Sequence, residues 1–161
     1  MITACELAGF FAAHAIWNVS EGDTLIPMLA YTNAEDERNM ERFVGDLGTS
    51  VATGKGKLQS NEMDANDAVL LYDGRITLGS EKVDAIIIEI RSYFSPQSEA
   101  VFAVPYTPKA SGKFLVHRPK LLTWKNCEDF DRNAAIDSFF NGVDGHEKGS
   151  KIWNECLDES K

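Results

Sequence analysis

"AVLLYDGRITLGSEKVDAIIIEIRSYF", residues 68–94, decides the fold class. Its opening run, Ala68–Tyr72, is apolar and leads into Asp73-Gly74. That dipeptide suits a two-residue type I′ hairpin, because both central positions of such a turn need positive φ. The sequence therefore predicts a strand ending near Tyr72, a second strand RITLG, and a further turn at GSEK. Residues 83–94, VDAIIIEIRSYF, are rich in β-branched residues and make a long strand. Alternation places Ile86, Ile88, Ile90 and Phe94 on one face. It places Ala85, Ile87, Glu89, Arg91 and Tyr93 on the other.

Outward from this core the same logic continues. Pro96 breaks the chain, and EAVFAVPY (99–106) pairs back. TPKASGK (107–113) turns, and FLVHR (114–118) and KLLTW (120–124) finish around Pro119. The connections are too short for crossovers, so the expected sheet is an antiparallel meander of about five strands over roughly residues 67–124.

Helical signals flank the meander. Over 3–18, Leu7, Phe10, Phe11, His14 and Trp17 recur at helical spacing, and alanines fill much of the rest. TLIPMLAYT (24–32) reads as an edge strand, since Pro27 removes a ladder donor. Asn33 is expected to cap a helix reaching Val44, with Asp36 as its capping-box partner and Met40, Phe43, Val44 and Leu47 as its stripe. Residues 46–60 read as a helix despite Gly48, Gly54 and Gly56, each costing about 1 kcal/mol relative to Ala. A helix is expected from Asp129 to Phe140, with Gly142 as its stop. A last helix is expected to start at Asp144 or Gly145 and to bury Ile152, Trp153, Cys156 and Leu157. The class is α+β: an antiparallel meander with N-terminal and C-terminal helices packed on one face.

At 161 residues the chain fits one domain, 1–161, and its 43% apolar content suits a packed core. The N-terminal segment has an apolar middle but no preceding positive charge, and Glu6 stands where a secretory signal has Lys or Arg. Three widely spaced cysteines with no C-x-x-C give neither a disulfide framework nor a zinc site. Cytoplasmic residence is the expectation. A formal charge of −9 repels nucleic acid and anionic membranes at long range, so neither is expected as a partner.

Chemistry-bearing motifs are weak. GTSVATGKGK (48–57) lacks the glycine spacing of a P-loop, and Lys55 is followed by Gly56 rather than Ser or Thr. DFDRN (129–133) opens like a calcium loop, but Ala134 and Phe140 stand where that loop needs Gly and Glu. His14 and His146 have no partner at metal-ligand spacing. Cys127 sits beside Glu128, which disfavours a thiolate. No cofactor and no metal are expected.

Two sets of residues stand out. Glu89 lies in a strand that otherwise looks central, with Arg91 on the same face. It is either part of a solvent-facing Glu89–Arg91–Tyr93 ladder or a general base at the floor of a pocket. Residues 104–127 carry five basic side chains and no acid, inside an acidic chain. Lys109, Lys113, His117, Arg118 and Lys120 are candidate anion ligands, with the turn between Lys109 and Lys113 as the compact place for one. Charges and Pro119 are equally what an exposed sheet edge carries to block strand addition.

In size and acidity, though in no motif, the chain resembles bacterial secretion chaperones and immunity proteins, and no site residue carries over from them. The functional expectation is a non-catalytic cytoplasmic protein-binding module, chaperone-, adaptor- or immunity-like, that engages a protein partner or itself. The alternative is a small-molecule binder or enzyme acting on an anionic ligand through Glu89 and the 109–120 segment.

Overall fold

A computed structural model describes residues 1–94 and 97–161. It contains an antiparallel sheet of β1 (Met28–Thr32), β2 (Arg38–Arg42), β3 (Asp67–Leu78), β4 (Glu81–Ser92), β5 (Ser98–Thr107), β6 (Leu115–Val116) and β7 (Lys120–Lys125). The order is β2-β1-β3-β4-β5-β6, and β7 pairs with β5 beside β6. The helices are α1 (Ile2–Ser20), α2 (Leu47–Ser60), α3 (Arg132–Gly145) and α4 (Glu147–Glu155). The α+β class and the flanking helices are as expected from sequence. The break expected at Pro96 lies outside the described residues.

The alternation expected along β4 holds through Ile90. Ile86, Ile88 and Ile90 are fully buried in the main core, with Val69, Leu71, Phe102 and Val104 from the neighbouring strands. That core is closed by α1, α3 and α4. Phe94 leaves the pattern because β4 ends at Ser92, and its side chain is exposed. The opposite face carries a smaller cluster of Leu29, Phe43, Leu58, Ala68 and Leu70, with Tyr31, Met63, Tyr72 and Tyr93 packed on it. Leu58 belongs to α2, so the second face has its own helix.

The expected hairpin at Asp73-Gly74 is not formed. β3 runs unbroken for 12 residues, with Asp73 opposite Ile86 and Gly74 opposite Ala85. The turn is Gly79-Ser80, between the paired Leu78 and Glu81. Gly79 has φ 63° and Ser80 is not left-handed, which matches a type II′ turn with glycine at its first central position. This register sets Val69 opposite Ile90 and Leu71 opposite Ile88. It buries these apolar pairs in the second half of β4, which outweighs a local turn preference.

The expected helix over 33–44 is also replaced, by the β1–β2 hairpin. Asn33 does act as a cap, but of a turn: its Oδ1 accepts from the Glu35 and Glu37 N–H groups at 3.0 and 2.9 Å. Asn serves a helix N-cap and such a turn by the same side-chain geometry, so the residue alone does not separate them. With β2 in place, β1 is an interior strand, and Pro27 precedes it rather than lying within it.

The C-terminal helices shift as well. α3 starts at Arg132, capped by Asp131 rather than entered at Asp129, and runs through Gly142 to Gly145. Gly142 is no stop. A Cβ there would overlap the Glu6 carbonyl of α1, as a Cβ on Gly9 would overlap the Phe139 carbonyl of α3. The two glycines let the backbones cross in contact. Asp144 stays within α3, and His146 caps α4 instead, its Nδ1 accepting from Gly149 N–H at 2.9 Å. α1 is long and apolar enough to cross a membrane, yet 61% of its most apolar window is buried inside this fold.

Candidate functional site

Glu89 projects from β4 to the α2 side of the sheet, where it is half-buried. Its Oε2 accepts from Tyr72 Oη at 2.6 Å and lies 3.4 Å from Lys55 Nζ of α2. Burial, and after it the Glu89 carboxylate, push the Tyr72 hydroxyl well above its ordinary range, so it stays a donor. Lys55 also lies over the Tyr72 ring, 5.4 Å from its centre. Arg91, its expected partner, pairs across strands with Glu99 at 3.4 Å. Glu89 thus ties α2 to the sheet.

The five candidate anion ligands are dispersed. Lys109 opens a short 3₁₀ turn (Lys109–Ser111) and pairs with Glu21 at 3.1 Å. Lys113 and Arg118 are exposed, and Lys120 is half-buried at the start of β7. His117 is buried, 1% exposed. Its Nδ1–H donates to the Asp158 carbonyl at 3.1 Å, so Thr107 Oγ1 donates to its Nε2 at 2.9 Å. Among the described residues no hydrogen bond or ion pair joins any two of the five. Val116 and His117 are both buried, and β6 is only two residues long. The C-terminal segment lies on its outer side, with Val116 N–H donating to Cys156 O and Asp158 N–H to Val116 O.

His14 and His146 do meet, although sequence spacing gave no hint of it. Gly149 N–H donates to His146 Nδ1, so the ring proton sits on Nε2, which donates to His14 Nδ1 at 3.1 Å. His14 then carries its own proton on Nε2, facing Arg42 Nη2 at 3.4 Å, so two donors oppose each other. Burial above all, with Arg42 and Lys148 adding to it, holds both rings below the ordinary histidine pKa. Phe10 and Trp17 stack around the pair, which fastens α1 to the α3–α4 junction. The thiols are equally committed. Burial pushes Cys5 up to about 12, and Cys127 Sγ–H donates to the Lys125 and Glu99 carbonyls.

One patch of exposed apolar surface lies elsewhere. Val44, just past β2, is 83% exposed, and Ile26 and Leu47 are exposed beside it. With Leu25, Pro27 and Phe43 they line a depression of about 190 Å³. Two further depressions adjoin it. One, about 260 Å³, shares Thr24 and Ile26 and adds Asp23 and Arg42. The other, about 370 Å³, shares Phe43 and Val44 and adds Asp46 and Thr49. Sequence reasoning missed this surface because it read Met40, Phe43, Val44 and Leu47 as one helical stripe. Instead they straddle a strand end, a loop and a helix start.

No protein-family model matches the chain, and no curated protein or solved structure matches it either.

Proposed function

We propose that the chain is a non-catalytic, cytoplasmic protein-binding module of the chaperone, adaptor or immunity kind, and that its partner seats on the concave surface around Val44. One observation carries this reading. Val44 stands 83% exposed among Ile26 and Leu47, over an apolar floor of Leu25 and Phe43. Contiguous exposed apolar surface rimmed by polar groups marks interaction sites. The rim holds Asp23 and Asp46 against Arg42, and the chain carries −9 overall. The partner is therefore a protein presenting an apolar anchor flanked by basic residues, drawn in by charge and held by the anchor. Three free cysteines and the structural use of Glu89, His117 and the His14–His146 pair support a binding role in a reducing compartment.

Parallel tag capture from the native host tests the proposal, comparing wild type, Val44→Asp, and the Lys113→Ala/Arg118→Ala double variant. The expected result is a stoichiometric partner on wild type and on the double variant, and none on Val44→Asp. A partner retained equally by Val44→Asp would remove this surface from the proposal. Concentration-dependent sedimentation of the purified protein, lost in Val44→Asp, would instead make the partner a second copy.

A further inference from the structure

Basic side chains from three parts of the chain meet at one place. They are His14 of α1, Arg42 at the end of β2, and His146 and Lys148 at the start of α4. His146 Nε2 lies 3.1 Å from His14 Nδ1, and His14 Nε2 lies 3.4 Å from Arg42 Nη2. Lys148 Nζ sits 4.9 Å over the Trp17 ring, which packs on both imidazoles. The chain has 25 acids against 16 lysines and arginines. Yet among the described residues no carboxylate lies within ion-pair distance of any of these four side chains. Glu41 of β2 is committed to Lys57, Asp23 borders a depression shared with Arg42, and Asp144 and Glu147 beside His146 are exposed.

A proton count shows what is missing. The line from Gly149 N through His146 and His14 to Arg42 has three contacts, and each uses one proton. Four protons are present: one on the Gly149 amide, one on each neutral ring and one from the Arg42 guanidinium, which does not deprotonate. Gly149 sets the His146 tautomer and His146 sets that of His14, so the surplus falls between His14 Nε2–H and Arg42. One oxygen beside both would accept from both. Water could do so, but it leaves the charges of Arg42 and Lys148 unanswered, whereas an anion meets charge and protons together. We infer that His14 and Arg42 bind a tetrahedral oxyanion, phosphate or a phosphate monoester, with Lys148 as the neighbouring cation. Two fixed cations, and two rings able to take up a proton each, match a multivalent anion better than a single carboxylate. Arg42 also borders the surface around Val44, but the inference rests on its contact with His14 and holds whether or not a partner seats there.

Sulfate is the decisive probe, because it keeps its double charge where histidine titrates. The protein is titrated with sodium sulfate at constant ionic strength, balanced with chloride, and the imidazole signals are followed by NMR. Saturable shifts of both rings are expected. Anion binding and ring protonation favour each other, so the His14 pKa should rise by about one unit at saturation. The affinity should correspondingly rise about tenfold from about pH 7.5 to about pH 5.5. Arg42→Gln is expected to weaken binding about tenfold and Lys148→Gln several-fold, while Lys82→Gln, an exposed cation of β4, leaves it unchanged. Arg42 and Lys148 are exposed, so neither variant threatens the fold. Inorganic phosphate binding more tightly than N-acetyl-phosphoserine amide identifies a free ion, and the reverse identifies a phosphorylated partner. No saturable shift at tens of millimolar sulfate, acetate binding as tightly, an affinity that does not change with pH, or equal affinity in Arg42→Gln would each overturn the inference.

Discussion

The two faces of the sheet are held by different physics. On the α1 face, β3, β4 and β5 present Val69, Leu71, Ile86, Ile88, Ile90 and Phe102 to helices that meet at glycines. The packing is apolar, and at Gly9, Gly142 and Gly149 it is backbone against backbone. On the α2 face the apolar cluster is small, and polar ties supplement it: Tyr72 to Glu89 to Lys55, and Tyr93 Oη donating to the Leu58 carbonyl. Even the glycine contact differs. A Cβ on Gly54 of α2 meets the end of the Leu70 side chain, which can move, whereas those on Gly142 and Gly149 meet main-chain carbonyls, which cannot. One face tolerates almost no change of volume, and the other has room to adjust.

Four measurements break or sharpen that contrast. The largest effect is expected from Phe139→Ala, which empties a 1%-exposed ring between Phe102 and Trp153 and should cost about 4 kcal/mol in chemical denaturation. Next, Gly142→Ala should cost about 3 kcal/mol, the upper end for overpacking, because the obstacle is backbone. Gly54→Ala should stay near wild type, since a gain of up to about 1 kcal/mol in helix propensity offsets a movable clash. In a chain this size each kcal/mol moves the melting temperature by about 2–4 °C, so the pair is easily resolved. Equal losses in the two glycine variants would erase the distinction between the faces.

The third measurement is stability against pH. His14 and His146 are held below their ordinary value of 6.5 in the fold, so the unfolded chain binds protons first. Their contribution is complete above pH 6.5 and is lost as pH falls from there through the folded values. The slope is at most about 1.4 kcal/mol per pH unit for each ring. His14→Phe should flatten this region of the curve, and an unchanged slope would show that the pair does not sense pH. Among the changes expected to destabilise, the smallest effect is that of Glu89→Gln, about 1 kcal/mol or less. It keeps an acceptor for Tyr72 and loses only the charge facing a half-exposed Lys55. A loss as large as that of Gly142→Ala would mean that the α2 face depends on its ion pair far more than its exposure implies.

Much of the fold was legible, because periodicity survives whatever the partner strand does. The turn expected at Asp73-Gly74 is absent, while the one expected at GSEK is present as Gly79-Ser80. Yet Ile86, Ile88 and Ile90 stayed on the buried face, since alternation within β4 does not depend on where the hairpin closes. The helix over 46–60 was legible too, but the reason for Gly54 was not: it lies against Leu70, far off in sequence. The candidate sites were the least legible. Lys109 to Lys120 are neighbours in sequence but part in space, because a 3₁₀ turn, a two-residue strand and the C-terminal segment separate them. His14 and His146 are distant in sequence but touch. The burial of Asp67 was not legible either, since it carried no signal beyond being an acid at the start of an apolar run.

By itself, the sequence determined the α+β class, the antiparallel sense of the central strands, the buried face of β4, and the helices at 3–18 and 46–60. These follow from local spacing, short connections and residue type. Tertiary structure alone decided that residues 38–42 form a strand, that Gly142 is a helix crossing rather than a helix end, and that Asp67 is buried with one oxygen bonded to Thr3. Each of these depends on what a residue meets from a distant part of the chain, and a spacing pattern cannot encode that contact.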